Sequence, residues 1–186
     1  SLGDADGLLG GLDRNYADVL RPAIQVIGKD EQAHCLVGCY MMSVKGKLMF
    51  LADATVNVYP DSRTLAEIAV QTSVVARRFG IEPRIAMLSF SNFGSSQKQR
   101  TERLEEAILL AKDLDPSLII DGPMQGDTAL NPDIQSDYGF MALDGPANVL
   151  ICPNLASANI AYKLLSELGD AEMTGPILEG LAKPVQ

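Results

Sequence analysis

This sequence has no basic cluster. Its 15 Lys and Arg are outnumbered by 24 Asp and Glu, giving a formal net charge of -9 and a pI of about 4.5. The electrostatic footprint that a phosphate backbone demands is therefore missing, which argues against nucleic acid as a partner. Cysteine and histidine are equally scarce. Cys35, Cys39, Cys152 and the single His34 offer neither an even disulfide framework nor the repeated spacing of a zinc site. Cys35 and Cys39 fall inside an apolar run, so they read as buried thiols, and a reducing, cytoplasmic setting fits them. No apolar stretch approaches the roughly eighteen residues needed to cross a bilayer, and the N-terminus lacks the basic start and apolar core of a secretory signal. Neither G-x-x-x-x-G-K-[ST] nor G-x-G-x-x-G occurs, so the usual triphosphate loop and dinucleotide fingerprint are absent too.

What remains is a chain of 186 residues, 47% hydrophobic and 21% charged, long enough for one well-buried domain and short for two. It opens on Ser1-Leu2-Gly3 and closes on "GLAKPVQ", which reads as a piece cut from a longer polypeptide. Val19, Leu20, Ile24 and Ile27 recur at near-helical spacing between Asn15 and Ile27, with Pro22 as an expected kink or restart. "AHCLVGCYMMSV", "KGK" and "LMFLAD" read as strand, turn and returning strand. A helix capped by Asp61 or Ser62 follows and runs to Gly80, then the strand "PRIAMLSF" and a charged helix from about Gln97 to Leu114. "SLIID" reads as a short strand leading to a "DGPMQGD" loop, and "ANVLICPN" as a strand feeding the helix "ASANIAYKLLSEL". Strands alternating with helices imply right-handed crossovers and an α/β fold of three α/β/α layers, with the hairpin making a mostly parallel sheet mixed.

In open sheets of this kind ligands gather beyond the carboxyl ends of the strands, where three polar loops fall. The first, "LSFSNFGSS", carries Ser89, Ser91, Asn92, Gly94, Ser95 and Ser96. Glycine allows close backbone approach, hydroxyls donate, and unpaired amides at a helix start carry partial positive charge, so the loop reads as an anion cradle. The alternative is that Ser95 or Ser96 merely caps the next helix. In the second loop, Asn154 precedes a helix on which Asn159 and Lys163 share a face, a set able to hold a phosphate or a pantetheine amide. Otherwise Asn154 is a cap and Lys163 is solvated. The third holds Asp121, Gln125 and Asp127, two carboxylates suited to acid and base roles or to a metal, though a turn and an N-cap account for them more simply. Arg21, beside Pro22, brings a guanidinium suited to phosphate or to a surface ion pair.

Taken in order, "LRPAIQVI", "LADATVNVYP", "LAEIA", "FGIEPRIAMLSFS", "LIIDGPMQGDTAL", "GPANVLICPNLASANIAYKLL" and "GPILEGLAKPV" resemble the phosphate acetyl/butyryltransferase family along almost the whole chain. "SNFGSS" looks like the branch fused to the C-terminus of bacterial NADP-dependent malic enzymes, whereas phosphotransacetylases usually carry a Thr/Gly-rich version of that loop. The resemblance implies a two-lobed isocitrate/isopropylmalate dehydrogenase-like fold, with this chain as the second lobe plus a short lead-in. It implies CoA or acetyl-CoA and phosphate as ligands meeting in the cleft, and pairing of two chains through this lobe.

The family chemistry is acyl transfer between CoA and phosphate, in which a base activates the thiol while arginines and hydroxyls stabilise the oxyanion. The family's catalytic Ser-Arg pair follows its "KPV" segment, here Lys183 to Val185, so no catalytic residue is assigned within the chain. Arg21 matches the "RPA" arginine near the family's active site. Tyr16 stands where Ser or Thr is common, which weighs against turnover. The leading expectation is an acetyl-CoA-sensing regulatory and oligomerisation domain behind an N-terminal malic enzyme domain, whose NADP and divalent metal would lie outside these residues. The alternatives are an active phosphate acetyl/butyryltransferase and a purely structural dimerisation module.

Overall fold

The computed structural model describes residues 6–11, 13, 16–94 and 101–186. Helix α1 spans Tyr16–Ile27 as one element despite Pro22 within it. Strands β1 (Val37–Val44) and β2 (Lys47–Ala52) form the expected hairpin, in register from Tyr40 opposite Leu51 to Val44 opposite Lys47. Its turn puts Lys45 at φ 50° and Gly46 at φ 76°. Positive φ at both central residues matches the right-handed twist of the flanking strands, and glycine adopts it without strain.

Helix α2 covers Ser62–Arg78 and is capped by Asp61, whose carboxylate accepts the Thr64 N–H at 2.8 Å. Then come β3 (Arg84–Leu88), α3 (Glu102–Leu114), β4 (Ile119–Met124), the short helices α4 (Gly126–Leu130) and α5 (Pro132–Gln135), β5 (Val149–Ile151), α6 (Leu155–Leu168) and β6 (Glu172–Glu179). Residues 97–100 of the expected charged helix lie outside the described residues. Periodicity had pointed to neither α4, α5 nor β6, each too short or too interrupted by Pro and Gly to carry a repeat.

One expectation needs correcting. "DGPMQGD" is not a loop throughout, because β4 continues through Asp121, Gly122 and Pro123 to Met124. Gly122 sits at φ 134°, and a Cβ there would come within 2.6 Å of the Met87 carbonyl oxygen, so the approach of β4 to β3 accepts only glycine.

The strand order is β4-β3-β5-β2-β1-β6. β4, β3, β5 and β2 pair in parallel, while β1 is antiparallel to both β2 and β6, so β1 alone runs against the rest. From β2 the chain moves through α2 to β3 and through α3 to β4. It then reverses through α4 and α5 to β5, and through α6 to β6. Leu65, Ile68, Ala69, Leu104 and Ala107 of α2 and α3 pack on one sheet face with Phe50, Ile85, Met87 and Ile151. Ala129 of α4 and Ala158 of α6 pack on the other with Met42, Leu51 and Leu150. The result is the expected three-layer, mixed and mostly parallel arrangement. Adjacent parallel strands send their following helices to opposite faces, so their connecting loops part and open crevices at the carboxyl edge.

Candidate functional site

Four loops meet at that edge, and the residues that hold them are specific. After β2, Asp53 is 2% exposed. Its carboxylate accepts the N–H groups of Thr55 (2.9 Å), Val56 (3.1 Å) and Asn57 (2.8 Å), the Asn57 Nδ2 (2.5 Å) and, more weakly, the Gly38 N–H (3.4 Å). Asn57 Nδ2 also donates to the Leu36 carbonyl at 2.8 Å. A buried carboxylate bearing this many donors sets the loop conformation, since each N–H would otherwise be stranded away from water. The loop lines a cavity of about 290 Å³ with Asn57, Pro60, Asp61 and Thr64.

Arg103, in the first turn of α3, joins that loop to the one after β5. Its guanidinium donates through Nη1 to the Pro60 carbonyl and through Nη2 to the Pro153 carbonyl at 2.9 Å. Asn154 caps α6, accepting the Ser157 N–H at 2.9 Å.

The third and fourth loops are clasped together. The Ser89 N–H donates to the Met124 carbonyl (2.7 Å) and the Phe93 N–H to the Pro123 carbonyl (2.7 Å). Asn92 Oδ1 accepts the Gln125 backbone N–H at 2.7 Å, and Asn92 Nδ2 donates to Gln125 Oε1 at 3.2 Å and to the Tyr138 hydroxyl at 3.1 Å. Gln125 Nε2 donates to the Phe90 carbonyl at 3.0 Å. Phe93 (φ 47°) and Gly94 (φ 71°) form the turn that follows. A bulky side chain at positive φ is strained backbone and marks a position the surroundings hold in place. Phe93 packs on Tyr138 and Phe140 with ring centroids 5.2 and 4.9 Å apart. Asp121 ties this aromatic segment to β4 by accepting the Ala142 N–H at 2.6 Å.

Of the residues picked out from the sequence, Ser89, Ser91, Asn92, Gly94 and Gln125 therefore share one contact network or the loop that carries it. Ser91 is buried, and its Oγ has no hydrogen-bond partner among the described residues. Asp127 is exposed and accepts the Thr128 N–H at 2.9 Å. Ser95 and Ser96 lie outside the described residues. Lys163 is exposed over the Tyr162 ring, 5.2 Å from its centroid, and Tyr162 in turn stacks on Tyr40 at 4.3 Å. Asn159 is half-buried in α6, and Arg21 is exposed on α1. Among the described residues no hydrogen bond or ion pair joins Arg21, Asn159 or Lys163 to the clasp.

Cys152, just beyond β5, is held as the neutral thiol, its pKa pushed up from 9.0 to about 12 by burial. Burial, reinforced by Glu67 and Asp53, raises Cys35 to about 12 as well, and Cys39 follows for the same first reason with Glu179 adding to it. None is a nucleophile at neutral pH. Among the described residues no group of His, Cys, Asp and Glu could hold a metal ion, and no helix is long and apolar enough to cross a membrane. A larger apolar groove of about 710 Å³ lies elsewhere, between Val19 and Leu20 of α1, Val75 of α2 with Phe79 just beyond it, and Ile177 of β6, and contains none of the polar loop residues.

Comparison with known proteins places the whole chain. The family model described as phosphate acetyl/butaryl transferase matches residues 1–186. The chain belongs to that family. Among its family relatives, a phosphate acetyltransferase of Bacillus subtilis is 41% identical over 98% of this chain and 57% of its own length. An NADP-dependent malic enzyme of Rhizobium meliloti is 39% identical over 100% of this chain and 24% of its own. In three dimensions a phosphotransacetylase from Streptococcus pyogenes superposes with a TM-score of 0.92 at 38% identity, covering 97% of this chain and 56% of that one. The chain thus spans about half the length of the phosphate acetyltransferase and a quarter of the malic enzyme it matches.

The contacts also bring in residues that sequence patterns alone passed over. Asp53 and Asn57 were visible only as part of "LADATVNVYP". The local signal was an Asp followed two to four residues on by N–H groups it could accept, the pattern of an Asx turn. Tyr138 and Phe140 had no local signal, being 46 and 47 residues from the Asn92 and Phe93 they touch.

Proposed function

We propose that this chain is an acyl-CoA-binding domain that keeps the family's ligand edge without its turnover, serving as the C-terminal regulatory and oligomerisation domain of an NADP-dependent malic enzyme. The observation that carries the reading is how the edge spends its polar groups. The carboxylates of Asp53, Asp61 and Asp127 all accept backbone N–H groups. Burial keeps the Cys152 thiol protonated. Around the clasp, amide and aromatic groups face outward beside the exposed carboxylates of Asp127 and Asp137, a surface suited to holding a thioester ligand. The similarity to malic enzymes along the whole chain supports the same reading.

Helix α6 supports the oligomerisation part. Ile160, Leu164 and Leu168, four residues apart, are 59%, 53% and 81% exposed. A second copy packed antiparallel about Leu164 would set Ile160 against Leu168, so the stripe complements itself.

The competing reading is an active phosphate acyltransferase, favoured by the equal similarity to standalone phosphate acetyltransferases. Calorimetric titration of acetyl-CoA into the full-length protein, beside an assay for acetyl phosphate formation, separates them. Binding without turnover is the expected result. Turnover restores the transferase, and absence of binding leaves a structural module.

A further inference from the structure

The clasp also carries information about which part of a ligand it takes, and this inference rests on the acyl-CoA reading above. Asn92 commits both amide hydrogens and one oxygen lone pair: Oδ1 accepts the Gln125 N–H, and Nδ2 donates to Gln125 Oε1 and to the Tyr138 hydroxyl. That pattern admits only one orientation of the Asn92 amide, and through it only one of the Gln125 amide. Gln125 has spent one N–H on the Phe90 carbonyl and one oxygen lone pair on Asn92. Among the described residues one donor and one acceptor therefore remain, side by side in a plane, on a side chain that is exposed.

Phe140, 69% exposed, packs on Tyr138, whose hydroxyl accepts from Asn92 Nδ2, and so joins the clasp through that residue. Its ring meets Phe93 at 77° and Tyr138 at 86°, so those neighbours hold it edge-to-face and do not cover it by stacking. Phe90, on the same loop as Asn92, is 57% exposed. In a chain only 5% aromatic, the three rings of Phe93, Tyr138 and Phe140 packed together beside two oriented amides form a concentrated feature. The flanking charges are acidic, Asp127 two residues from Gln125 and Asp137 next to Tyr138, both exposed. Carboxylates there repel a phosphate and do not oppose an amino-bearing heterocycle.

We propose that Gln125, oriented by Asn92 and in the same clasp as the exposed Phe140 ring, reads the edge of an aminopurine, the adenine of a CoA-type ligand. The free Gln125 Oε1 lone pair accepts from the exocyclic amine, its free N–H donates to an adjacent ring nitrogen, and Phe140 offers a stacking face. Asn92 is then a positioning residue, touching the ligand only through Gln125.

The test compares two probes by calorimetry: CoA, and its analogue with hypoxanthine in place of adenine, whose edge presents an oxygen where the amine stood. The chain is expected to favour CoA by about tenfold. Gln125→Ala should lower CoA affinity to that for the analogue while barely altering the analogue. Asn92→Ala should shrink the preference with Gln125 intact, and Phe140→Ala should weaken both probes alike, by about tenfold. Gln125 and Phe140 are surface positions, and circular dichroism would verify that each variant keeps its fold. Equal affinity of the unmodified chain for the two probes overturns the adenine assignment and leaves the acyl-CoA reading in place. Failure to bind CoA at all overturns both.

Discussion

The two helical layers of this chain treat their apolar residues in opposite ways. Helix α2 buries eight of its seventeen residues and α3 four of thirteen, sealing one face of the sheet. Helix α6, on the other face, buries only Ala158 while leaving Ile160, Leu164 and Leu168 open. Its sequence is no less apolar, so its hydrophobic surface is not consumed by the fold. An apolar helix face left bare on a folded domain is the surface on which the proposed pairing can be tested. The contrast teaches that buried and exposed apolar residues, indistinguishable by composition, are separated by which side of each helix the sheet can reach.

The strongest way to break this comparison is Leu164→Glu, which puts a charge in the middle of the α6 stripe. If the stripe joins two copies, light scattering should show the paired species reduced to the single chain with its secondary structure intact. An unchanged assembly would locate pairing elsewhere. Next in size is the core side. Ile68→Ala, at a position 0% exposed, should cost about 2–5 kcal/mol in urea unfolding. Leu164→Ala, measured in the unpaired state, should stay within about 0.5 kcal/mol. Similar losses at both sites would mean that α6 is packed as tightly as α2.

Asp53→Ala tests whether the ligand edge depends on one buried carboxylate. Stranding the N–H groups of Thr55, Val56 and Asn57 should cost about 1–3 kcal/mol and expose the loop to rapid hydrogen exchange.

Asp61→Ala, removing the α2 cap, should cost about 1 kcal/mol. The Thr64 N–H holds the Asp61 carboxyl below its ordinary 3.8, so folding favours the ionised form. Its contribution is complete above the ordinary carboxylate range and fades as pH falls through and below it. The difference between the parent and Asp61→Ala should therefore shrink with acid, as read by urea midpoints. A difference independent of pH would assign the cap to something other than the carboxylate.

Much of the layer architecture was legible in the sequence because it rests on local rules. The Lys45-Gly46 turn, the Asp61 and Asn154 caps and the apolar spacing of Leu65, Ile68 and Ala69 each act within a few residues. "IAM" and "VLI" read as buried strands because parallel strands covered on both faces need apolar residues at every position, and Ile85, Ala86 and Met87 are all 0% exposed. β6 was opaque for the reverse reason. Gly175 and Pro176 interrupt its pattern, and only its pairing with β1 makes it a strand.

The ligand edge divides the same way. Residue types and spacing singled out Ser89, Ser91, Asn92 and Gln125, since polar loops after strands announce themselves. That Asn92 and Gln125 share an amide pair, that Tyr138 closes it and that Arg103 joins the loops at Pro60 and Pro153 depend on contacts 33 to 50 residues apart. By itself, then, the sequence determined the longer helices, the apolar strands and the polar loops that follow them, because propensity, capping and periodicity are written within a turn or two. It did not determine α4, α5, β6 or the end of β4. Only the tertiary structure decided which polar groups would be used up on one another and which left free. That outcome depends on the order in which the strands lie side by side, and no local pattern encodes it.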